Sequence, residues 1–186
     1  HWLKVFIIFF ILIPSLSKRI TPNDQQMIGT QKSATWYFNT KIGIPENAFG
    51  EGSPAWAAGI YDVGTKRDKT NYNVGYTKIA KTFSINDFSL GRFSAGYFQG
   101  NAKLLLDKNS KEDNEGVLAA WERTLTEISD KLWVCAEYMG SESSYGAWNL
   151  GFSWKFSDNV SVIFGYNMYN NHNLSDTVTV QVDIDF

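Results

Sequence analysis

The 186 residues suffice for one ordinary domain and hardly for two, and 17 Lys and Arg against 19 Asp and Glu leave a formal net charge of −2. Basic and acidic side chains are mixed along the chain, so the electrostatic footprint of a nucleic-acid partner is absent. The single cysteine, Cys135, excludes an intramolecular disulfide, and an aromatic content of 16% in a chain only 44% hydrophobic demands a surface on which large rings can sit.

Residues 1–17 stand apart. Lys4 precedes an unbroken apolar run from Val5 to Ile13, followed by Pro14 and Ser15-Leu16-Ser17. The run falls short of the roughly 20 residues a membrane-spanning helix needs. A basic residue, a short apolar core and a small-x-small site predict a secretory signal peptide cut after Ser17. Residues 18–33, with "PNDQQMIGTQ", read as a linker or a weak strand.

From residue 34 onward the recurring pattern is a two-residue alternation, the period of a strand with two different faces. "TWYFNTKIGI" sets Trp36, Phe38, Ile42 and Ile44 against Tyr37, Asn39, Lys41 and Gly43. Further strands are predicted near 55–64, 71–83, 90–100 and 114–125. Their faces are mixed, and in "GVLAAWERTL" Trp121 and Arg123 share a side that the pattern leaves unassigned. "KLWVCAEYM" then puts Leu132, Val134, Ala136 and Tyr138 opposite Trp133, Cys135, Glu137 and Met139. "YGAWNLGFSWKF" is the clearest: Trp148, Leu150, Phe152, Trp154 and Phe156 face one way, and Ala147, Asn149, Gly151, Ser153 and Lys155 the other. "VSVIFGYNM" alternates likewise, and "TVTVQVDIDF" sets Val178, Val180, Val182, Ile184 and Phe186 against Thr177, Thr179, Gln181, Asp183 and Asp185. "PENAFGEGSP", "GTKRDKTN", "GSESS", "FSDN" and "NNHNLSD" supply turns between the runs, and "DKNSKEDNEG" at 107–116 reads as a solvated loop.

These strands exceed the usual 5 or 6 residues of a soluble sheet and suit the roughly 9 to 11 that cross a tilted bilayer span. The polarity points the same way. The apolar face carries rings too bulky for a small barrel interior, whereas the other carries Gly, Ala, Ser, Asn and a few charges. Trp148 and Phe156 lie about 26 Å apart along a strand, which a tilt reduces to the spacing of the aromatic girdles around an apolar band roughly 25 Å tall. The expected fold is therefore all-β: an antiparallel up-and-down transmembrane β-barrel over residues 34–186, with nine or ten strands visible.

The closing strand carries a resemblance. With Val182, Ile184 and Phe186 it resembles the terminal strand of bacterial outer-membrane proteins, whose final Phe is read by the barrel-assembly machinery. "NTKIGIPENAFGEGSPAWAAGIYDVGTK", "GRFSAGYFQGN" and "GYNMYNN" extend the likeness over about residues 36–186, which is similar to porin-like outer-membrane β-barrel proteins of Gram-negative bacteria. The resemblance implies a location in the outer membrane, partners in its lipid and in the assembly machinery, and small solutes as cargo. Periplasmic termini and an even strand number would follow. The strand at 34–44 then needs a partner before it, from residues 18–31 or from a larger barrel of which this chain is a truncated part. The turn at 157–159 would be periplasmic, with the long charged loop and "NNHNLSD" outside.

Lys41, Arg92, Glu137, Lys155, Asp183 and Asp185 are the candidate pore-lining residues, since lumen charges set ion preference. Pairing among themselves inside a filled barrel would account for them equally. Tyr37, Trp133 and Met139 point the same way and could fill the space left by Ala147, Gly151, Ser153, Ser161 and Gly165. An enzyme is not expected. Of the two histidines, His1 falls in the signal, and His172 with Asp176 is ordinary loop chemistry rather than a catalytic pair. No cofactor or metal motif is present. The expected function is a porin-like passive channel for small solutes, and the alternative is a structural or adhesive outer-membrane barrel without a through-pore.

Overall fold

The computed structural model describes the backbone of Phe6–Ile11 and residues 37 to 184, and among these it contains no helix. Ten strands form one antiparallel sheet in simple chain order: β1 (Phe6–Ile11), β2 (Tyr37–Ile44), β3 (Ala55–Gly64), β4 (Val74–Ile85), β5 (Phe88–Gln99), β6 (Glu115–Thr124), β7 (Leu132–Met139), β8 (Ala147–Ser157), β9 (Val160–Tyr169) and β10 (Thr177–Ile184). From β2 to β10 the boundaries follow the alternating runs to within a few residues. Among the described residues no pairing joins β10 to β1, so the sheet is curled but not closed.

Phe6–Ile11 pairs with β2, with Phe6 opposite Gly43 and Ile11 opposite Phe38; residues 18–31 lie outside the described residues. The apolar core assigned above to a signal peptide is thus the segment that pairs. Phe and Ile favour both uses, because β-branched and aromatic residues suit a pleated ribbon. The cut after Ser17 and the linker at 18–33 lie outside the described residues, as do Trp36, Asp185 and Phe186.

Register fixes the two faces of every strand. Lys41 stands opposite Gly59, Gly59 opposite Tyr76, and Tyr76 opposite Phe98. Phe98 stands opposite Gly116, Gly96 opposite Leu118, and Leu118 opposite Met139. The same face continues through Ala147 to Tyr169, and through Asn167 to Thr177. This is the inner face of the curl. The outer face carries Ile42, Ile79, Phe93, Val117, Leu150, Phe152, Phe164 and Val178, all exposed, from 38% for Phe164 to 73% for Val178.

Rings on the outer face fall into two bands. Tyr97, Tyr138, Trp148 and Tyr166 lie toward one end of the strands; Phe83, Phe88, Phe93, Trp121, Trp154 and Phe156 lie toward the other. Tyr138 and Trp148 pack at 4.6 Å between centroids, and Phe83 and Phe93 at 5.9 Å. The unassigned face of β6 resolves here. Trp121 Nε1 donates to Leu90 O (2.8 Å) across a bulge where Gly91 has φ +97°, and a Cβ on Gly91 would lie 2.7 Å from that nitrogen. Arg123 follows Trp121 outward because its guanidinium lies 4.2 Å over the Phe88 ring and pairs with Glu127 at 2.8 Å.

The two ends differ. At the turn end β4–β5 and β8–β9 close tightly, at Asn86-Asp87 and Asp158-Asn159. Asn86, at φ +53°, takes the left-handed conformation that Asn tolerates. Glu46, in the β2–β3 turn, clamps this end to β4 through Lys81 (3.0 Å) and the Thr82 backbone N–H (3.1 Å). The Lys81 ammonium, with lesser help from Thr82, holds the Glu46 carboxyl below the usual carboxylate range. A depressed folded value means the clamp's stabilisation is present above the unfolded pKa and is lost as pH falls through the folded one. Hydrogen-exchange protection of the Thr82 amide is therefore expected to drop only as pH falls below the usual carboxylate range, and Glu46→Gln should remove that pH dependence.

At the loop end the connections fold inward. Val74, Phe98 and Leu105 are fully buried, and Tyr61, Tyr72, Tyr76, Leu118, Met139 and Tyr145 pack against them. Gly59 leaves room for the ring of Tyr76, which a Cβ would meet at 2.9 Å. Leu105 comes from the loop between β5 and β6. Residues 108 to 112 of that loop are exposed, as expected of a solvated connection, but its base is tied down. Asn101 N–H donates to Tyr72 O (2.8 Å), Asn114 Nδ2 to Gly100 O (2.8 Å), and Ser141 Oγ to Asp113 O (2.7 Å).

Candidate functional site

Chemistry-bearing side chains concentrate on the inner face. Between the loop-end cluster and the turn end its wall is built from Gly43, Ala57, Ala80, Ser94, Gly96, Ala120, Asn149, Gly151, Ser153 and Gly165, which are small or uncharged. Charges project from this wall. Of the sequence candidates, Lys41, Arg92, Glu137, Lys155 and Asp183 all fall on this face by register; Asp185 is outside the described residues.

The structure adds two charges that the sequence pattern left unplaced. Lys78 stands opposite Gly96, and Glu122 opposite Arg92. Glu122 Oε1 accepts a hydrogen bond from Arg92 Nη1 at 3.1 Å. Both lie on strands whose apolar residues fall at mixed parity. Pairing to the cleanly alternating β7 and β8 is the signal that assigns them.

Charge is unevenly distributed around the curl. Lys41, Lys78 and Arg92, from β2, β4 and β5, line one cavity of about 260 Å³. Glu122, Glu137 and Asp183 stand on β6, β7 and β10. A cavity of about 120 Å³ between Lys78, Ser94, Glu137 and Asn149 links the basic side to the acidic one. At the turn end a third, of about 260 Å³, is lined by Trp133, Ser153, Lys155 and Ser161. Here Lys155 pairs with Asp158 at 3.6 Å, both well exposed, an arrangement that contributes little to stability. Asp183 accepts from Gln181 Nε2.

The rings expected to fill the interior do so in part. Met139 joins the loop-end cluster, where its sulfur accepts from Tyr61 OH at 3.9 Å. Tyr145 OH donates to the Asp62 carboxylate on β3, across the inner face from its own loop. Burial, then the Asp62 hydrogen bond and charge, push the Tyr145 hydroxyl well above its ordinary pKa, so it stays a donor. Trp133 lies far from this cluster, in the turn-end cavity. The interior is thus filled at the loop end, mainly by Phe98 and Leu105, which the sequence did not single out, and is roomier toward the turn end.

Loop chemistry is sparse. Asp176 accepts from Tyr166 OH (2.9 Å) and from the Tyr169 backbone N–H (3.2 Å), while His172 is exposed nearby. Cys135 faces inward beside Gly151, where a Cβ would lie 3.0 Å from its sulfur. No group of three or more His, Cys, Asp or Glu among the described residues is arranged to hold a metal ion. Comparison with known proteins returns no match: no family model, curated protein or solved structure is similar to this chain.

Proposed function

We propose that this chain forms the wall of an outer-membrane β-barrel of a Gram-negative bacterium and acts as a porin-like passive channel for small solutes. One observation carries the reading: the polarity of the sheet is inverted. Large apolar side chains stand exposed on the outer face of β2 to β10, while charged, polar and small ones line the inner face. Water penalises such a surface and lipid rewards it. The two bands of rings match the aromatic girdles of membrane barrels. In lipid the free backbone groups of β1 and β10 require a partner, so the reading includes closure of the barrel. It also takes Val182, Ile184 and Phe186 as the segment that the assembly machinery reads. The channel itself rests on the small inner wall and the cavities along it.

The rival reading, a structural or adhesive barrel without a through-pore, is favoured by the Val74, Phe98 and Leu105 cluster, which fills the inner face at the loop end. Planar-bilayer recording separates the two. An open channel gives stepwise ohmic conductance, and Lys155→Glu should shift its preference toward cations, because a charge on the inner wall acts on every ion that passes. Correctly folded protein, checked by heat-modifiable gel mobility, that gives no steps would exclude the channel and leave the structural barrel.

A further inference from the structure

Three cations on one wall ask for an explanation that structure alone does not supply. Lys41, Lys78 and Arg92 come from three different strands and border one cavity. Only Arg92 has a carboxylate partner, Glu122; among the described residues neither lysine has one within 4.0 Å. Three positive charges against one negative leave the cavity with a net excess of two. An inner wall that needed charges only for solubility would pair them or space them apart, since like charges in a confined space repel.

The cavity is also shaped to receive something. Beside Ile44, Pro45 and Trp56, its lining includes Gly43, Ala55, Ala57 and Ala80, which add little side-chain bulk near the cationic heads. Lys78 reaches into it over Gly96, where a Cβ would come within 2.6 Å of the lysine Cβ. Glu137 shares the neighbouring cavity of about 120 Å³ with Lys78 but makes no ion pair with it within 4.0 Å. Low-dielectric walls lined by one sign of charge raise the local concentration of counter-ions. A guanidinium beside two ammonium groups suits the oxygens of a phosphate or carboxylate, which accept several charge-assisted hydrogen bonds at once.

We propose that Lys41, Lys78 and Arg92 form a subsite for small oxyanions, solutes bearing phosphate or carboxylate groups, on the inner wall of the barrel. The subsite rests on the channel reading for its role in transport but not for its existence. A solute held there sits between the two lysines and the side of the Arg92 guanidinium not taken by Glu122.

Calorimetric titration of the full chain, folded in detergent, with inorganic phosphate at constant ionic strength tests the subsite directly. Saturable binding is expected. Lys41→Gln and Lys78→Gln should each weaken it about tenfold, the worth of one charge-assisted hydrogen bond. Lys78→Arg should retain it, and Lys108→Gln, in the β5–β6 loop, should not change it. Absence of binding by the folded protein, or equal weakening by Lys108→Gln, would overturn the proposal. Bilayer recording of the same proteins keeps the two readings apart. Phosphate binding without conductance steps keeps the subsite and removes the channel; steps from protein that binds no phosphate keep the channel and remove the subsite.

Discussion

Phe98→Ala is expected to destabilise the folded protein by about 3 to 5 kcal/mol, the usual cost of truncating a buried aromatic. Phe98 is fully buried, and its ring sits under Leu105 and Val74 with Gly116 directly across the strand pair. A Cβ on Gly116 would approach the ring to 3.1 Å, so the site is closely packed. The loss should appear as a lower urea midpoint for the protein refolded into lipid vesicles. The substitution also empties space in the cluster that fills the inner face at the loop end. If solutes pass through the curl, conductance steps of the variant should be larger than those of the parent. A cost below about 1 kcal/mol, the range of ordinary surface changes, would mean that Phe98 does not anchor the loop end.

Leu150→Lys and Asn149→Lys form the second decisive pair. They are neighbours on β8, so strand propensity and depth are nearly matched, but register puts Leu150 outside beside Ala136 and Tyr166, and Asn149 inside beside Glu137 and Asn167. Near the midplane of a bilayer, a lysine at 150 should cost roughly 2 to 4 kcal/mol. At 149 the same lysine meets a polar wall and the Glu137 carboxylate, and should cost far less. The difference is read from paired refolding titrations in lipid. Equal costs would remove the lipid-facing assignment of the outer surface, and with it the membrane reading.

The legibility of this fold varies along the chain for a physical reason. In β8 and β10 the outer surface is apolar and the inner one polar or small, so a period of two shows through; the face of Lys155 or Asp183 can be read directly. In β4 to β6 the inner face itself becomes apolar near the loop end. Tyr97 and Phe98 are adjacent, one exposed and one fully buried, and no alternation separates them. Trp121 and Arg123 share a side because of a tryptophan hydrogen bond and an arginine stacked on Phe88, neither of which leaves a trace in spacing. Leu105 lies in a connection, where hydrophobic periodicity carries no information. Lys78 and Glu122 were hidden by the same ambiguity, and with them half of the charge arrangement around the candidate subsite. The run from Val5 to Ile13 shows the complementary limit: a short stretch of Ile and Phe satisfies the composition of a signal core and of a strand alike.

The chain order of the sheet has a consequence for how such a wall changes size. Among the described residues every strand pairs only with its neighbours in sequence, so the sheet needs no crossover and most connections close at small entropic cost. Contacts across the inner face also join distant segments: Asp62 with Tyr145, 83 residues apart, and Tyr61 with Met139, 78 apart. Duplicating or deleting a hairpin outside those spans shifts all later strands by two, which preserves both their direction and their inward and outward faces. A single strand gained or lost would reverse the direction of everything after it. The circumference of this wall can therefore change by whole hairpins beyond residue 145 without touching the contacts that tie the stretch from 61 to 145 together.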